Sequence, residues 1–425
     1  VAQAIRTIFA LLLAAGVLIC GNGLQNTLIS VRADIEGFPL LLIGLLTSAY
    51  FVGFIAGCYR TPALVSAVGH IRTFTALASL ASASALAHVI VVEPAVWIAL
   101  RCVTGFAMAG LYMIIESWIN EKSTNANRGQ VLSVYRIVDL AGTTVGNGLL
   151  ALADPASFVL FAVISILVSL SLVPVALTTA IAPQPIATAR LDVGKLFAVS
   201  PLAAVGSLSV GLANGAFWSV GPVWVQRIGF DVAAVAGFVS AVVIGGALVQ
   251  WPFGWASDRT DRRYVIILVA AGCVAAAGFL ALRPPAGEAA LIAGAVAFGV
   301  AAMPLFGLCI AHANDRAKPD EYLETNGGLL LMYGAGAVVG PLTATGLMTA
   351  YGPAALFLFI AGVYAVLALF GVLRTGVRRG ARAADKETWS PVPRTTPAVF
   401  ELSSAPDETE ADGEAAPEAP EPRPA

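Results

Sequence analysis

Charge is scarce in this chain: acidic and basic residues make up 12% of it, against 58% hydrophobic residues. A soluble domain carries about 25% charged and about 45–50% apolar residues, so an ordinary water-exposed globule is excluded. Histidine is rarer still: His70, His88 and His312 are scattered and offer no spaced ligand set for a metal. The five cysteines (Cys20, Cys58, Cys102, Cys273 and Cys309) form no CxxC pair and all fall in apolar stretches. They read as small buried apolar residues, not as disulfides or ligands. The chain has no Ser/His/Asp set and no phosphate-binding glycine loop. An intramembrane enzyme is therefore the weakest function class, no cofactor is expected, and energy for any work should come from a gradient. No basic domain stands outside the apolar stretches, so nucleic acid is not an expected partner.

What the chain has instead is twelve long apolar runs joined by short polar links. They lie at about 7–30, 39–60, 72–92, 95–119, 128–152, 156–181, 201–222, 232–254, 264–282, 289–312, 325–349 and 353–374. Crossing a bilayer takes about 20 apolar residues in a helix. The runs are continuous rather than alternating, which excludes a β-barrel. The expected fold is an all-α membrane protein of twelve transmembrane helices. Arg6 followed by IFALLLAAGVLIC also has the look of a signal peptide. Eleven further runs need an even partner, so the first is expected to be a span.

The net charge of −2 hides two opposite parts. From Asp385 onward the chain holds ten acids and three bases, a net −7; the rest is +5. This tail is rich in Pro, Ala and Glu without apolar periodicity and is expected to be disordered. Sixteen bases fall on the side that would hold both termini, from Arg6 through Arg382; only Arg32, Arg227 and Arg283 fall on the other. By the positive-inside rule both termini are expected in the cytoplasm, the chain lying in the inner (plasma) membrane.

The two halves echo each other. Asn22-Gly23 recurs as Asn214-Gly215, 192 residues on; Gly69-His70 in VGHIR lines up with Asp261-Arg262 in TDRR at the same spacing; Gly142-xxx-Gly146 recurs as Gly336-xxx-Gly340 at 194. Three matches at nearly one spacing indicate two pseudo-symmetric six-helix bundles with a binding site between them near the midplane. The expected division is a first bundle at 1–181, a linker at 182–200, a second bundle at 201–376 and the acidic tail at 377–425.

On these residues the chain resembles the major facilitator superfamily. GWASDRTDRR fits the superfamily's loop signature with Gly254, Asp258, Arg259, Arg262 and Arg263, Asp261 replacing a glycine. The first-half copy is degenerate, with Ser66 where an Asp would stand. Arg101-xxx-Gly105-xxx-Ala109 is similar to the superfamily's fourth-helix arginine motif. VRADIEGFPLLLIGLLTSAYFVGF, VGHIRTF and ESWINEKSTNANRGQVLSVY look like its YcaD-like branch. The resemblance implies a cytoplasmic gate among Glu116, Arg128, Gly254, Asp258, Arg259, Arg262 and Arg263, closed by ion pairs. The alternative for those residues is a topology determinant with a solvated loop. In antiporter-type members a Gly-Pro pair closes the fifth-helix motif; here Asn147 stands at the Pro position.

Charges inside apolar runs are the sharpest functional signal, since each costs roughly 2.5–3.5 kcal/mol at a helix centre when unpaired. Arg101 lies in the fourth run. Arg136 and Asp139 are three apart in the fifth and share a face. One reading makes Asp139 a proton-carrying carboxyl, with Arg101 and Arg136 binding substrate; the other makes an Arg–Asp pair that locks the fourth and fifth helices together. With Asp139 ionised the set totals +1, which suits an anion. Asn22, Gln25 and Asn26 in the first run, with Asn214 and Trp218 in the seventh, are expected to line the cavity at symmetric positions. Helix-to-helix hydrogen bonding is the alternative. Gln250 and Tyr333 are weaker candidates of the same kind. The expected function is a secondary active transporter, proton-coupled and monomeric, moving a small organic solute by alternating access. A drug or metabolite efflux antiporter is the alternative within that class. A membrane sensor with a transporter fold is the alternative outside it.

Overall fold

The computed structural model describes residues 2–123, 127–177, 193–283, 285–318 and 321–376, with residues 389, 396 and 398. The first half comprises α1 (Ala2–Ile35), α2 (Leu40–Val68), α3 (His70–Ile90), α4 (Pro94–Lys122), α5 (Arg128–Leu149) and α6 (Val159–Ala176). A short α7 (Val193–Val199) precedes the second half: α8 (Pro201–Arg227), α9 (Val232–Arg259), α10 (Arg262–Leu282), α11 (Glu288–Ala302), α12 (Leu305–Asn314), α13 (Tyr322–Tyr351) and α14 (Ala355–Thr375).

Twelve spans follow once α11 and α12 are read as one crossing broken at Pro304, whose nitrogen has no proton to give the preceding turn. Pro252 and Pro341 sit inside α9 and α13 without ending them. Among the described residues, eleven spans are long and apolar enough to cross a membrane by composition. The twelfth, α5, has the length, 22 residues or about 33 Å, but carries Arg136, Asp139 and Asn147. It packs against α1 and α9, and on those faces its polar groups find partners.

The glycines reveal how the halves are built. A methyl on Gly142 would press on the carbonyl of Gly16, and one on Gly146 on that of Cys20, so α5 lies backbone to backbone on α1. Gly336 and Gly340 of α13 meet the carbonyls of Leu208 and Leu212 of α8 in the same way. The four partners stand 192 residues apart, as the sequence repeat requires. A second set does the same: Gly53 and Gly105 interlock α2 with α4 against Cys102 and Tyr50, while Gly245 and Gly299 interlock α9 with α11 against Val296 and Val242. The repeat is thus a repeat of close backbone approaches, which only glycine permits.

The halves meet along three seams: α2 with α13, α5 with α9, and α1 with α8. Toward the ends of α1 and α8 the seams are shut. Arg227 Nη2 lies 2.7 Å from Asp34 Oδ1. Ser48 donates to the Val338 carbonyl at 2.6 Å. A methyl on Gly44 would lie 2.6 Å from Thr345 Oγ1 and 2.9 Å from the Pro341 carbonyl. The opposite side, where α4 and α9 end, is the basic face of the sequence. In the expected linker, α7 docks on α13: Lys195 Nζ reaches Glu321 at 3.2 Å and Glu324 at 2.7 Å.

Candidate functional site

Between the halves lies a cavity of about 300 Å³, at the lower end of the range for small-molecule sites. Seven of the ten residues expected to line it do: Asn22, Asn26, Arg101, Arg136, Asp139, Trp218 and Tyr333. Three do not. Gln25 is fully buried within the first half, Asn214 is buried on α8, and Gln250 stands one layer back. The cavity continues along Cys58, Tyr59 and Pro62 of α2 and Gly327 and Leu330 of α13, away from the closed end and toward the basic face.

Its polar wall is two bonded groups. Arg101 Nη2 donates to Asn26 Oδ1 at 2.8 Å, and its guanidinium lies 4.4 Å above the Tyr50 ring. Asn22 Nδ2 donates to the Tyr112 hydroxyl at 3.1 Å, and the Tyr50 hydroxyl donates to Asn22 Oδ1 at 3.4 Å. Arg136 pairs with Asp139 on α5 and donates through Nε to Gln250 Oε1 of α9 at 3.2 Å, across the two halves. Arg136 and Asp139 therefore neutralise each other within one turn of α5, and the pair does not join α5 to α4. Arg101 is different. It is 2% exposed, and its Nε and Nη1 meet no hydrogen-bond acceptor. The site carries one uncompensated positive charge with two open donors.

Sequence reading missed the aromatic lining. Tyr50, Phe51, Phe54 and Tyr112 all face the cavity. Tyr50 and Tyr112 sit in mostly apolar runs, where nothing next to them distinguishes a cavity-facing ring from a core one. Tyr50 does have a signal in retrospect: it is three residues before Gly53, on the turn by which α2 and α4 touch.

The contacts seen for the expected gate residues lie within one half or reach outside the bundle. Glu116, fully buried, accepts from the Tyr135 hydroxyl at 3.0 Å and from Thr396. Asp258 lies 3.0 Å from Arg262, and Arg262 lies 3.0 Å from Asp315 at the end of α12. Arg263 chelates Asp261, and these bonds hold the Asp261 carboxyl below its usual range despite its partial burial. Arg259 stacks on Trp255 at 4.2 Å. The side chain of Arg128 lies outside the described residues. Gly254 lies under the indole of Trp389. Asn147, at the position where antiporter-type members have Pro, instead accepts from Thr27 Oγ1 at 2.7 Å and ties α5 to α1.

The sequence matches the Major Facilitator Superfamily profile over residues 11–322 and 203–406. The chain belongs to the major facilitator superfamily. It is 27% identical over 372 residues to an uncharacterized MFS-type transporter of Yersinia pestis (strain Pestoides F), covering 83% of this chain and 92% of the relative. It is 24% identical over 364 residues to the uncharacterized MFS-type transporter YcaD of Escherichia fergusonii, covering 84% and 93%. Its fold is similar to that of the nucleoside transporter NupG, with a TM-score of 0.75 at 16% identity, covering 86% of this chain and 98% of NupG. The chain is accordingly a multi-pass membrane transporter, and its relatives are transporters rather than enzymes.

Proposed function

We propose that this chain is a proton-coupled secondary transporter for a small organic anion with an apolar body, working by alternating access as a monomer in the inner membrane. The observation that carries the substrate class is Arg101: a buried guanidinium in the cavity wall with two nitrogens lacking an acceptor. A charge buried without its partner costs several kcal/mol, and a carboxylate or phosphate seated there would supply it in bidentate form. The aromatic wall of Tyr50, Phe51, Phe54, Tyr112, Trp218 and Tyr333 suits the rest of the solute. Asp139 is the proposed proton carrier. It is the one carboxylate lining the cavity among the described residues, and protonating it would free Arg136 from its pair and loosen the α5–α9 seam. The 16-to-3 excess of bases supports placing both termini in the cytoplasm.

The test is a thermal-stability screen of purified protein against separate panels of organic anions, sugars and cationic amphipaths. A ligand at 100 times its Kd should stabilise by about 2.7 kcal/mol. Anion hits that vanish in Arg101→Ala are expected. Hits confined to cationic amphipaths would overturn the anion reading and favour an exporter of hydrophobic cations.

A further inference from the structure

A second cluster of bases stands away from the cavity, on the basic face of the second half. Helix ends converge there: α8 starts at Pro201 and α10 at Arg262, while α12 and α14 finish at Asn314 and Thr375. They enclose a pocket of about 20 Å³, lined by Ser200, Leu202, Arg263, His312, Arg316 and Arg374. That is room for one atom the size of a water oxygen. None of these residues lines the cavity between the halves. Packing turns Arg374 toward the pocket. A methyl on Gly371 of α14 would press on Ile267 of α10 and touch Leu202 of α8, and Arg374, three residues on, shares that face.

The nearby carboxylates are engaged elsewhere in the cluster. Arg263 chelates Asp261, and Arg262 takes Asp258 and Asp315. Arg374 meets no carboxylate among the described residues, and the His312 ring, 4% exposed, makes no hydrogen bond among them. The start of α8 adds the positive end of a 27-residue helix. Beside the pocket the helix surfaces are bare and apolar. Tyr264 and Leu268 of α10, four apart, and Leu369 and Leu373 of α14, four apart, are 60–66% exposed. An exposed tyrosine at the end of a span marks headgroup depth.

We propose that this pocket is a site for the phosphate group of an anionic membrane phospholipid. A nonbridging phosphate oxygen enters between Arg374, Arg316 and His312 and accepts from their N–H groups. The acyl chains lie along the bare faces of α10 and α14. Basic pockets between spans suit such headgroups. A soluble phosphate could meet the same donors but makes no use of the apolar track, and that track assigns the phosphate to a lipid. The occupant ties the ends of α8, α10, α12 and α14 together within one half.

The test is native mass spectrometry of the purified full chain in detergent. Phosphatidylglycerol and phosphatidylcholine with identical acyl chains are added in separate arms, and inorganic phosphate in a third. Phosphatidylglycerol should be retained more tightly than phosphatidylcholine. Arg374→Gln should weaken that retention about fivefold, the loss of one juxtamembrane base. Arg374→Lys should keep most of it. Arg72→Gln, at an exposed base on the same face of the first half, should change nothing. Equal retention of the two lipids by the unmodified chain, or a preference that survives Arg374→Gln, would overturn the site. Inorganic phosphate retained only while Arg374 is present, with no preference between the lipids, would reassign the pocket to a soluble phosphate and overturn the lipid. Neither solute nor proton gradient enters this measurement, so its failure leaves the anion-transport reading untouched.

Discussion

Arg101 is the residue on which substrate choice turns. Its position on α4 buries it, its neighbours Asn26 and Tyr50 hold it without neutralising it, and no carboxylate bridges it among the described residues. Arg101→Ala should abolish thermal stabilisation by anions and leave the unliganded Tm the same or higher, because an unpaired buried charge is removed. Arg101→Lys should keep part of the stabilisation, since a lysine retains the charge but not the bidentate fork. Asp139→Asn should abolish the pH dependence of uptake in sealed vesicles while substrate binding persists; unchanged coupling would remove Asp139 from the mechanism. The first-run candidates divide at this same scale. Asn22 and Asn26, four apart, face the cavity together; Gln25, beside Asn26, is fully buried and does not line it. Helical spacing placed the first two on one face, but a step of about 100° per residue turns Gln25 away, and a sequence carries no mark of which face meets a void.

At the scale of helices, the paired glycines make the sharpest statement. Gly146→Ala would drive a methyl into the Cys20 carbonyl, and Gly340→Ala into that of Leu212. Each should destabilise by about 1–3 kcal/mol, read as a lower Tm in detergent. Gly346→Ala, on the same helix as Gly340 but facing open space, should leave Tm unchanged or raise it. The contact of α7 with α13 should depend on pH. A hydrogen bond from Lys195 holds the Glu321 carboxyl below its usual range, and the Glu324 hydrogen bond raises the Lys195 ammonium. For the depressed carboxyl, the contribution is complete above the ordinary carboxylate range and is lost as pH falls through its lowered value. For the raised ammonium, it is complete below the ordinary lysine range and is lost as pH rises through the raised value. A spin label at Gly194 should therefore be immobile across neutral pH and gain mobility at both extremes. The element boundaries were legible to within a few residues for most spans. The second and sixth were not: the run to about 60 continues as helix to Val68, past Pro62, and the run to about 181 becomes a helix ending at Ala176, two residues after Pro174.

For the whole molecule, the decisive asymmetry is that one face is shut while the cavity runs toward the other. The shut face is held by Asp34–Arg227, whose arginine is 38% exposed. A pair that open to solvent contributes about 0–1 kcal/mol, so Asp34→Asn should shift the balance toward opening by no more than about fivefold. Accessibility of a cysteine introduced at Thr47, which lines the cavity near the shut end, would measure it. The larger part of the closure lies in the α2–α13 seam, where Gly44 admits Thr345 and Pro341.

The sequence by itself determined that this is a membrane protein, how many times it crosses, and that it is built twice over. All three follow from local apolar length and from glycine spacing, which need no knowledge of neighbours. It also marked the charges that matter, because a charge in an apolar run is visible in one dimension. Only the tertiary structure decided how those charges are spent: Arg136 on Asp139 and Gln250, Arg101 on an open cavity. The same holds for the tail. Its expected disorder falls mostly outside the described residues; within the tail, Trp389 and Thr396 bond the carboxylates of Asp258 and Glu116, 131 and 280 positions away in sequence. Such a fit depends on surfaces that come together only when the two halves have packed, and no periodicity records it.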